Sequence, residues 1–209
     1  MDAITASGAA CAVTASILHD IRSENCNLAI WERPIPHDFT ALLRGCPQDL
    51  RFTTTLAALP EKLAAELRFN RYPGFDLHSD FIADVAMLAQ HFCTALSLAR
   101  FELRLEVVTT DSCRKFHADY VRARLITTYV GPGTEWLDNA DAARVARSGA
   151  HGGAHGGEPA HINRMTTGDV GIFKGKLATQ MPAIHRSPPI SASAGKRLLL
   201  VLNPIEKAM

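Results

Sequence analysis

The pattern of apolar and polar positions changes near Arg100. Before it, helical spacing dominates: apolar side chains recur every three or four positions over residues 59–70 and 78–100, and residues 37–45 read as a shorter helix ended by Gly45. Residues 27–33 favour a short strand that stops at Pro34. Residues 1–26 carry only a weak helical signal near 16–23. The first half is therefore predicted to be mainly helical.

The second half alternates instead. "FELRLEVV" at 101–108 places apolar and polar residues in strict alternation, as in a half-buried strand. Further short β-type segments follow: 113–130, "EWL", "GDVGIFKGK", "AIHRS" and "GKRLLLVLNP", with a polar segment at 138–158 that holds a short helix in "NADAARVARS". Such a series is typical of a small barrel or jelly roll. We expect an α+β fold in which a mainly helical region, residues 1–100, packs on a β-core, residues 101–209, as one unit.

Composition and charge narrow the class of protein. The 209 residues are 47% hydrophobic and 21% charged, as in an ordinary globular chain. Lysine and arginine number 22 against 21 aspartate and glutamate, so the balance predicts no nucleic-acid or membrane partner. The N-terminal residues lack the basic and apolar pattern of a signal peptide, and no apolar run nears the roughly 20 residues needed to cross a bilayer.

The five cysteines are scattered, odd in number and form no CxxC pair. This spacing argues against a disulfide framework and against a cysteine-rich zinc site. It is the usage expected in a reducing compartment, so we expect a cytoplasmic protein.

The first chemical candidate is the pair His117 and Asp119. Residues two apart on a strand point to the same face, so an imidazole and a carboxylate could converge there on one cation. Taken alone, the pair is equally consistent with two solvent-exposed residues at the end of a strand. It gains meaning from His185, since two histidines and one carboxylate form the facial triad that holds Fe(II) with open positions. Arg197, at the start of the last strand, has the fork geometry that grips a carboxylate, such as the far end of a 2-oxo acid.

The order of these motifs resembles the core of prolyl-4-hydroxylase-type Fe(II)/2-oxoglutarate oxygenases. The resemblance covers about the last 95 residues. The family motifs are His-x-Asp, an R-x-x-T-x-x-Y-like strand, a Gly-Gly-x-Thr turn, a Gly-Asp-x-x-x-Phe strand, a distal histidine and a Gly-x-Arg/Lys end. The matching positions are His117, Asp119, Arg124, Thr127, Tyr129, Gly131, Gly133, Thr134, Gly168, Asp169, Phe173, His185, Gly195 and Arg197.

The resemblance implies a double-stranded β-helix (jelly-roll, cupin-like) core with a non-haem iron site. His117, Asp119 and His185 would be the metal ligands. Arg197 would bind 2-oxoglutarate, with Lys196 as its replacement if the register slips by one. The resemblance also implies site residues on the strand that follows the His-x-Asp pair. These are Arg124 and either Tyr129 or Thr128, depending on which face of that strand points into the site.

Arg186 departs from the oxygenase pattern, because it places a cation directly beside His185. Three interpretations stay open: it binds an anionic substrate, it forms an ion pair that orients the site, or it forms a purely structural salt bridge. "GTEWL" also carries Glu135 and Trp136, which could line a pocket mouth. For Trp136, packing in the core or anchoring of the turn is the alternative.

A second resemblance covers most of the chain. "CRKFHADYVRARLITTYVGPGTEWL", "GDVGIFKG" and "HRSPPI…RLLLVLN" are similar to the bacterial domain-of-unknown-function family 1826. This family supplies no activity, so the mechanism implied here comes from the oxygenase resemblance.

The segment "HGGAHGGEPAH" supplies a competing metal hypothesis. Neutral imidazoles at His151, His155 and His161 could capture zinc, nickel or copper, but ordering a glycine-rich loop costs entropy, so a solvated loop or a lid over the barrel is also consistent.

The leading hypothesis is a non-haem iron dioxygenase that uses 2-oxoglutarate to hydroxylate a small molecule or peptide. The alternatives are a metal-binding or metal-homeostasis protein without turnover, holding zinc or another divalent transition metal, and a cupin-like metalloenzyme that needs no 2-oxoglutarate. The sequence lacks the G-x-S-x-G elbow of serine hydrolases and the glycine motifs of nucleotide-binding proteins.

Overall fold

Two β-sheets and a layer of helices form the part of the chain that the computed structural model describes, residues 8–45, 47–111, 113–149, 158–190 and 195–205. The strands are β1 (Ala9–Ala12), β2 (Leu28–Trp31), β3 (Leu50–Thr54), β4 (Phe101–Val108), β5 (Ala123–Val130), β6 (Glu135–Leu137), β7 (Asn163–Arg164), β8 (Val170–Lys174), β9 (Ile184–Arg186) and β10 (Arg197–Pro204). The α-helices are α1 (Leu59–Phe69), α2 (His78–Leu96) and α3 (Asn139–Gly149), with 3₁₀ turns at Ala15–Arg22, Phe39–Leu43 and Phe75–Leu77. The protein thus has a mixed α/β fold.

Within these residues the larger sheet has seven strands in the order β1-β2-β8-β5-β10-β4-β3, and the smaller sheet has three in the order β7-β6-β9. All pairs are antiparallel except β1 with β2. We call the face of the large sheet that packs against the small sheet its inner face, and the opposite one its outer face. Side chains on each strand alternate between these two faces.

The outer face carries the main hydrophobic core. Leucines of β4, β5 and β10 pack there against α1, α2 and the first two 3₁₀ turns. The fully buried members include Leu18, Phe39, Leu63, Phe81, Leu88, Phe92, Leu103, Leu105, Leu125, Leu200 and Leu202. Since each such side chain contributes roughly 1.5–3 kcal/mol on burial, this layer supplies most of the apolar stabilisation.

A smaller core fills the space between the two sheets. It combines inner-face residues of the large sheet with residues flanking the short strands of the small sheet. Its buried members are Ala9, Leu28, Ile30, Ile126, Met165, Phe173, Ala183, Leu199 and Val201. Polar side chains on the inner face therefore lie at the edges of a mostly apolar gap.

Helix α2 follows the predicted pattern. Phe81, Val85, Leu88 and Phe92 recur at intervals of three and four and are fully buried on the outer-face core. The helix ends at Ser97, whose left-handed backbone directs its N–H to an earlier carbonyl. No side-chain cap forms at Leu77, because α2 continues directly from a 3₁₀ turn. No helix among the described residues is both long and apolar enough to span a membrane.

The structure corrects the prediction that the first half is mainly helical. Three of its segments are strands, and β1, β2 and β3 belong to the same seven-stranded sheet as the strands after Arg100. β2 confirms the short strand predicted within residues 27–33. β1 and β3 were not predicted, because four or five residues are too few for alternation to be distinguished from a loop. β1, "AACA", is held by parallel pairing with β2, and that partner is invisible to local sequence.

In the second half the predicted strands β4, β6, β8, β9 and β10 form, as does the short helix α3. The predicted run at 113–130 is shorter than expected, because β5 begins only at Ala123. The segment before β5 contains turns and a single bridge residue, His117. The candidate ligand pair therefore sits on irregular backbone.

Candidate metal centre

A pair of backbone hydrogen bonds joins His117 to His185. The N–H of each residue donates to the carbonyl oxygen of the other, and both N···O distances are 3.0 Å. This antiparallel bridge brings the two rings together, with centroids 4.8 Å apart. The prediction that His117 and Asp119 share one regular strand is wrong; contact with β9 positions His117 instead.

A backbone carbonyl of its own segment orients each imidazole. Nδ1 of His117 lies 2.9 Å from the carbonyl oxygen of Lys115, and Nδ1 of His185 lies 3.3 Å from that of Ala183. We assign the ring proton to Nδ1 in both residues, because a carbonyl oxygen can only accept. The two Nε2 atoms then keep their lone pairs, and they lie 3.8 Å and 3.4 Å from the Asp119 carboxylate oxygens.

The Asp119 carboxylate has one oxygen engaged and one without a partner. Its Oδ1 accepts a 2.8 Å hydrogen bond from the Arg124 guanidinium. Its Oδ2 is buried and has no hydrogen-bond partner among the described residues. An unpaired buried polar atom costs roughly 1–3 kcal/mol, and more when it is charged. A cation bound at Oδ2 would remove that cost.

Two imidazoles and one carboxylate thus converge on one point. The ligating atoms of His117, Asp119 and His185 lie within 4.8 Å of one another, and the described residues contain no other group of three such side chains. Burial lowers the pKa of His185 to about 4, against the opposing attraction of the Asp119 carboxylate. The imidazole is therefore neutral near pH 7 and can ligate. This donor set, with the orphaned Oδ2, fits the facial triad of a mononuclear iron site.

Arg197 is a buried cation on the inner face, with no carboxylate at ion-pair distance in the described part of the chain. Its Nε donates a hydrogen bond to a backbone carbonyl at 2.7 Å. Its Nη1 donates to the Ser187 hydroxyl at 2.9 Å, and its Nη2 donates to the Thr128 hydroxyl at 3.2 Å. Loss of hydration lowers its pKa to about 10, although two carboxylates outside contact distance act in the opposite direction. A guanidinium that is removed from water and hydrogen-bonded only to neutral groups has an uncompensated charge, which favours the binding of an anion.

Thr128 and Tyr129, the two alternatives on β5, point in opposite directions. Thr128 lies on the inner face and contacts Arg197. Tyr129 lies on the outer face, where its ring packs against two phenylalanines and its hydroxyl donates 2.6 Å to Asp84 on α2. Strand alternation requires this division. The structure therefore brings Thr128 to Arg197 and separates Tyr129 from the three candidate ligands, so its predicted site role is corrected.

Lys196 and Arg186, the other two predicted cations, have partners outside the triad. Lys196 is exposed and its Nζ donates 2.9 Å to the carbonyl of Gly45, so it cannot replace Arg197. Arg186 donates 2.6 Å to the Glu135 carboxylate, and its guanidinium carbon lies 4.2 Å from the ring centre of Phe116. Because Phe116 precedes His117, this stack links β9 to the ligand segment. Arg186 thus forms an ion pair, which fits two of its three interpretations, and its role in orienting the site stays a prediction.

The role of Glu135 was missed from sequence. The strand register places it directly opposite Arg164 on β7 and Arg186 on β9, and both donate to its carboxylate. Burial raises the pKa of Glu135, but the two guanidiniums outweigh it and the net pKa is lowered. Glu135 therefore ties the three strands of the small sheet together. Only the cross-strand alignment, which local sequence does not encode, identifies it.

Two further residues near the site could have been found from sequence, because residues an even number of positions apart on a strand lie on the same face. Ser187 follows His185 by two positions and contacts Arg197. Asn203 follows Arg197 by six positions on β10, and its side-chain oxygen accepts a 2.8 Å hydrogen bond from Arg124. Even spacing on a strand means the same face, so both were predictable as inner-face residues once one neighbour was chosen.

The histidine-rich loop lies mostly outside the described residues, which exclude His151 and His155. His161 is exposed, and its backbone N–H donates 2.9 Å to the Asp141 carboxylate. The prediction of metal capture or of a lid by this loop stays a prediction.

We expect Arg124→Met to weaken the binding of Zn(II) to the metal-free protein about 10- to 100-fold, the usual effect of losing a group that orients a metal ligand. Arg124 holds Oδ1 of Asp119 and is itself held by Asn203, so its loss frees the carboxylate to rotate. Titration calorimetry measures the affinity. Arg122→Met, exposed two residues earlier, is the matched control. Equal affinities in the two variants contradict this role.

Gly175→Ala should damage the same site from the opposite side. A Cβ at Gly175 would lie 2.2 Å from the carbonyl oxygen of Val121 and 2.8 Å from that of Asp119, so the ligand segment must move. We expect a loss of about 1–3 kcal/mol in the free energy of unfolding, together with weaker Zn(II) binding. Urea unfolding and calorimetry test this, with the exposed Ala178→Ser as control. Unchanged metal affinity would show that the segment tolerates the shift.

The fold and the converging side chains define a mixed α/β protein with a candidate mononuclear metal centre. The chain belongs to a family of proteins of unknown function, DUF1826, which matches residues 12–203. No curated protein matches the sequence.

Several solved structures are similar in backbone. The dioxygenase for auxin oxidation 1 from Arabidopsis thaliana, in complex with 2-oxoglutarate, is 11% identical with a TM-score of 0.49, over 96% of this chain and 92% of the other. The corresponding rice dioxygenase is 13% identical with a TM-score of 0.44, over 94% and 82%. A Pseudomonas putida prolyl-4-hydroxylase is 14% identical with a TM-score of 0.44, over 93% and 94%. At these values, function must be argued from the residues of the site.

Proposed function

We propose that this protein is an Fe(II)- and 2-oxoglutarate-dependent oxygenase. The observation that carries the proposal is Arg197: a fully buried guanidinium on the inner face, with only neutral partners among the described residues. Its Nη1 donates to the hydroxyl of Ser187, which follows the candidate ligand His185 by two residues. A metal-binding protein without turnover has no use for such a cation, whereas a 2-oxo diacid needs one to hold its far carboxylate.

The proposed architecture is a jelly roll, and the course of the chain supports it. From β4 onward the chain alternates between the sheets: β4 and β5 lie in the large sheet, β6 and β7 in the small one, β8 in the large, β9 in the small and β10 in the large. All pairs among these strands are antiparallel, and apolar side chains fill the gap between the sheets. This is the connectivity of a double-sheet roll, in which a ligand site opens between two facing sheets.

The residues of the site divide into two groups. His117, Asp119 and His185 would hold the metal, with Arg124 fixing the Asp119 carboxylate so that Oδ2 faces the ion. Arg197 would bind the distal carboxylate of 2-oxoglutarate. The hydroxyls of Thr128, Thr134 and Ser187 surround its guanidinium and fix its orientation.

When bound, Fe(II) and 2-oxoglutarate supply O₂ chemistry that side chains cannot: one oxygen atom enters a substrate C–H bond, and the other enters succinate as CO₂ leaves. The protein would contribute orientation and dryness. Phe173 packs on the His185 ring with centroids 4.8 Å apart, and neighbouring inner-face residues of β5 and β10 are buried. These contacts would limit access of water to the metal, which protects a reactive centre from side reactions.

The two alternatives make different demands on the same residues. A metal-homeostasis protein would need the ligands but not Arg197, and a cupin-like enzyme without a cosubstrate would be indifferent to its charge. Both predict that Arg197 can be replaced without loss of ligand binding. Arg197 is buried and has no carboxylate partner among the described residues, and this favours the oxygenase.

Anaerobic titration of the metal-free protein with Fe(II) and 2-oxoglutarate tests the proposal. A genuine site gives a weak visible charge-transfer band and one equivalent of bound iron. His117→Ala and His185→Ala should lose both, while the control His161→Ala, an exposed histidine of the competing loop, should keep both. If wild type shows no band and the two ligand variants keep their metal content, the proposed function fails.

A further inference from the structure

The surface around the candidate metal centre is strongly basic. Arg114, Lys115, Arg122 and Lys176 are all exposed, and Tyr120 between them has 78% of its surface in solvent. We call these five residues the site rim. The ligand carboxylate beside Tyr120 is, by contrast, nearly buried. The rim is therefore the part of this segment that meets an incoming molecule first.

Backbone hydrogen bonds hold the rim close to the ligands. The N–H of Lys176 donates 2.9 Å to the carbonyl of Asp119, and the N–H of Leu177 donates 3.1 Å to the carbonyl of Val121. On the other side, the carbonyl of Lys115 orients the His117 ring. Cations thus lie both before and after the ligand pair.

The four cations of the rim have no ion-pair partner in the part of the chain that the structure describes. None of the four forms an ion pair with any described residue. The inward cations nearby are already used, since Arg124 pairs with Asp119 and Arg186 with Glu135. The whole chain carries only +1, so this local excess does not follow from composition. Clustered like charges repel one another, and an anionic partner would relieve that repulsion.

We infer that the substrate presented to this site is an acidic peptide segment that lies across the rim. The inference rests on the proposed oxygenase function, because it names the substrate class of that same site. Acidic side chains would meet the cations on either side of the ligands, and apolar side chains would cover Tyr120 and the half-exposed Leu177. Single-stranded nucleic acid is disfavoured, because successive bases need successive aromatic platforms and the rim offers one exposed ring.

Fluorescence anisotropy with a labelled peptide of alternating glutamate and leucine tests the inference on metal-free and metal-loaded protein. We expect saturable binding that weakens with rising salt, and no binding of the same peptide with lysine in place of glutamate. Lys115→Glu and Lys176→Glu should each weaken binding about fivefold. Arg68→Glu, which reverses an exposed cation on α1, is the matched control and should change nothing.

Three results overturn the inference: no binding of the acidic peptide, equal weakening by the α1 control, or tighter binding of a single-stranded oligonucleotide than of the peptide. The iron titration separates this outcome from the proposed function. A charge-transfer band without peptide binding removes the peptide substrate and leaves the oxygenase. Peptide binding without the band removes the oxygenase, and with it the claim that the bound peptide is a substrate.

Discussion

We expect Arg197→Met to abolish the proposed binding of 2-oxoglutarate while leaving the candidate metal site intact, and this is the largest effect we expect. Removing one partner of a buried charge pair costs about 2–5 kcal/mol, or roughly 30- to several-thousandfold in affinity. The triad lies on other residues, so Zn(II) affinity should stay within a few-fold of wild type. Calorimetry with Zn(II) present measures the affinity for 2-oxoglutarate.

Lys196→Met is the control for that experiment. It removes a neighbouring cation that is exposed and bonded to the carbonyl of Gly45, so 2-oxoglutarate affinity should be unchanged. If Arg197→Met binds 2-oxoglutarate as well as Lys196→Met does, the carboxylate clamp is elsewhere and the oxygenase proposal loses its main support.

The same substitution should not destabilise the protein in the absence of 2-oxoglutarate. Burial depresses the pKa of Arg197 to about 10, and this shift corresponds to roughly 3 kcal/mol of unfavourable burial of the charge. This penalty is fully present below about pH 10. Above it, the folded state loses the proton before the unfolded state does, so stability contributed by this residue rises with pH. Urea unfolding of wild type and Arg197→Met is compared between pH 8 and pH 11. The stability of wild type relative to the variant should increase toward pH 11, while the groups that titrate in both proteins cancel in the difference.

Asp119→Asn is the second large effect. The amide keeps the shape of the side chain but removes the charge that Oδ2 offers to an ion, so Zn(II) and Fe(II) affinity should fall by more than the roughly 10- to 100-fold expected for an outer residue such as Arg124. In the metal-free protein the change should cost little stability, because Oδ2 is an unsatisfied buried oxygen there. Calorimetry and thermal melts measure the two quantities.

Asp76→Asn, an exposed carboxylate beside α2, is the matched control and should bind metal as wild type does. If Asp119→Asn keeps wild-type metal affinity, Asp119 is not a ligand, and its convergence with the two histidines has another cause.

Long periodic segments were readable from sequence because their partners are mostly their own near neighbours. α2 and β4 follow from helical spacing and strict alternation, each sustained over at least eight residues. Of the three strands in the first half, β2 was predicted within residues 27–33, but β1 and β3 were not, since a four-residue segment such as β1 becomes a strand only through its pairing with β2.

At the site, sequence determined which residue types occur and in what order: His-x-Asp, a distant histidine and an arginine that opens the last strand. Tertiary structure decided which of them meet. Thr128 lies on the inner face of β5 and Tyr129 on its outer face. Arg197 lies on the inner face of β10, whereas Lys196, just before β10, donates to the carbonyl of Gly45. Parity on a strand is fixed by chain geometry, but which face becomes the inside depends on packing between segments far apart in sequence.

The sequence by itself therefore determined the donor set of a metal centre, because chemistry resides in residue types and their order. The tertiary structure decided that His117 is positioned by a bridge to His185, that Asp119 keeps one oxygen unpaired, and that Glu135 sits between two arginines. Each of these is a contact between segments at least 29 residues apart or depends on one. Such contacts are set by burial and strand register, which no local pattern specifies.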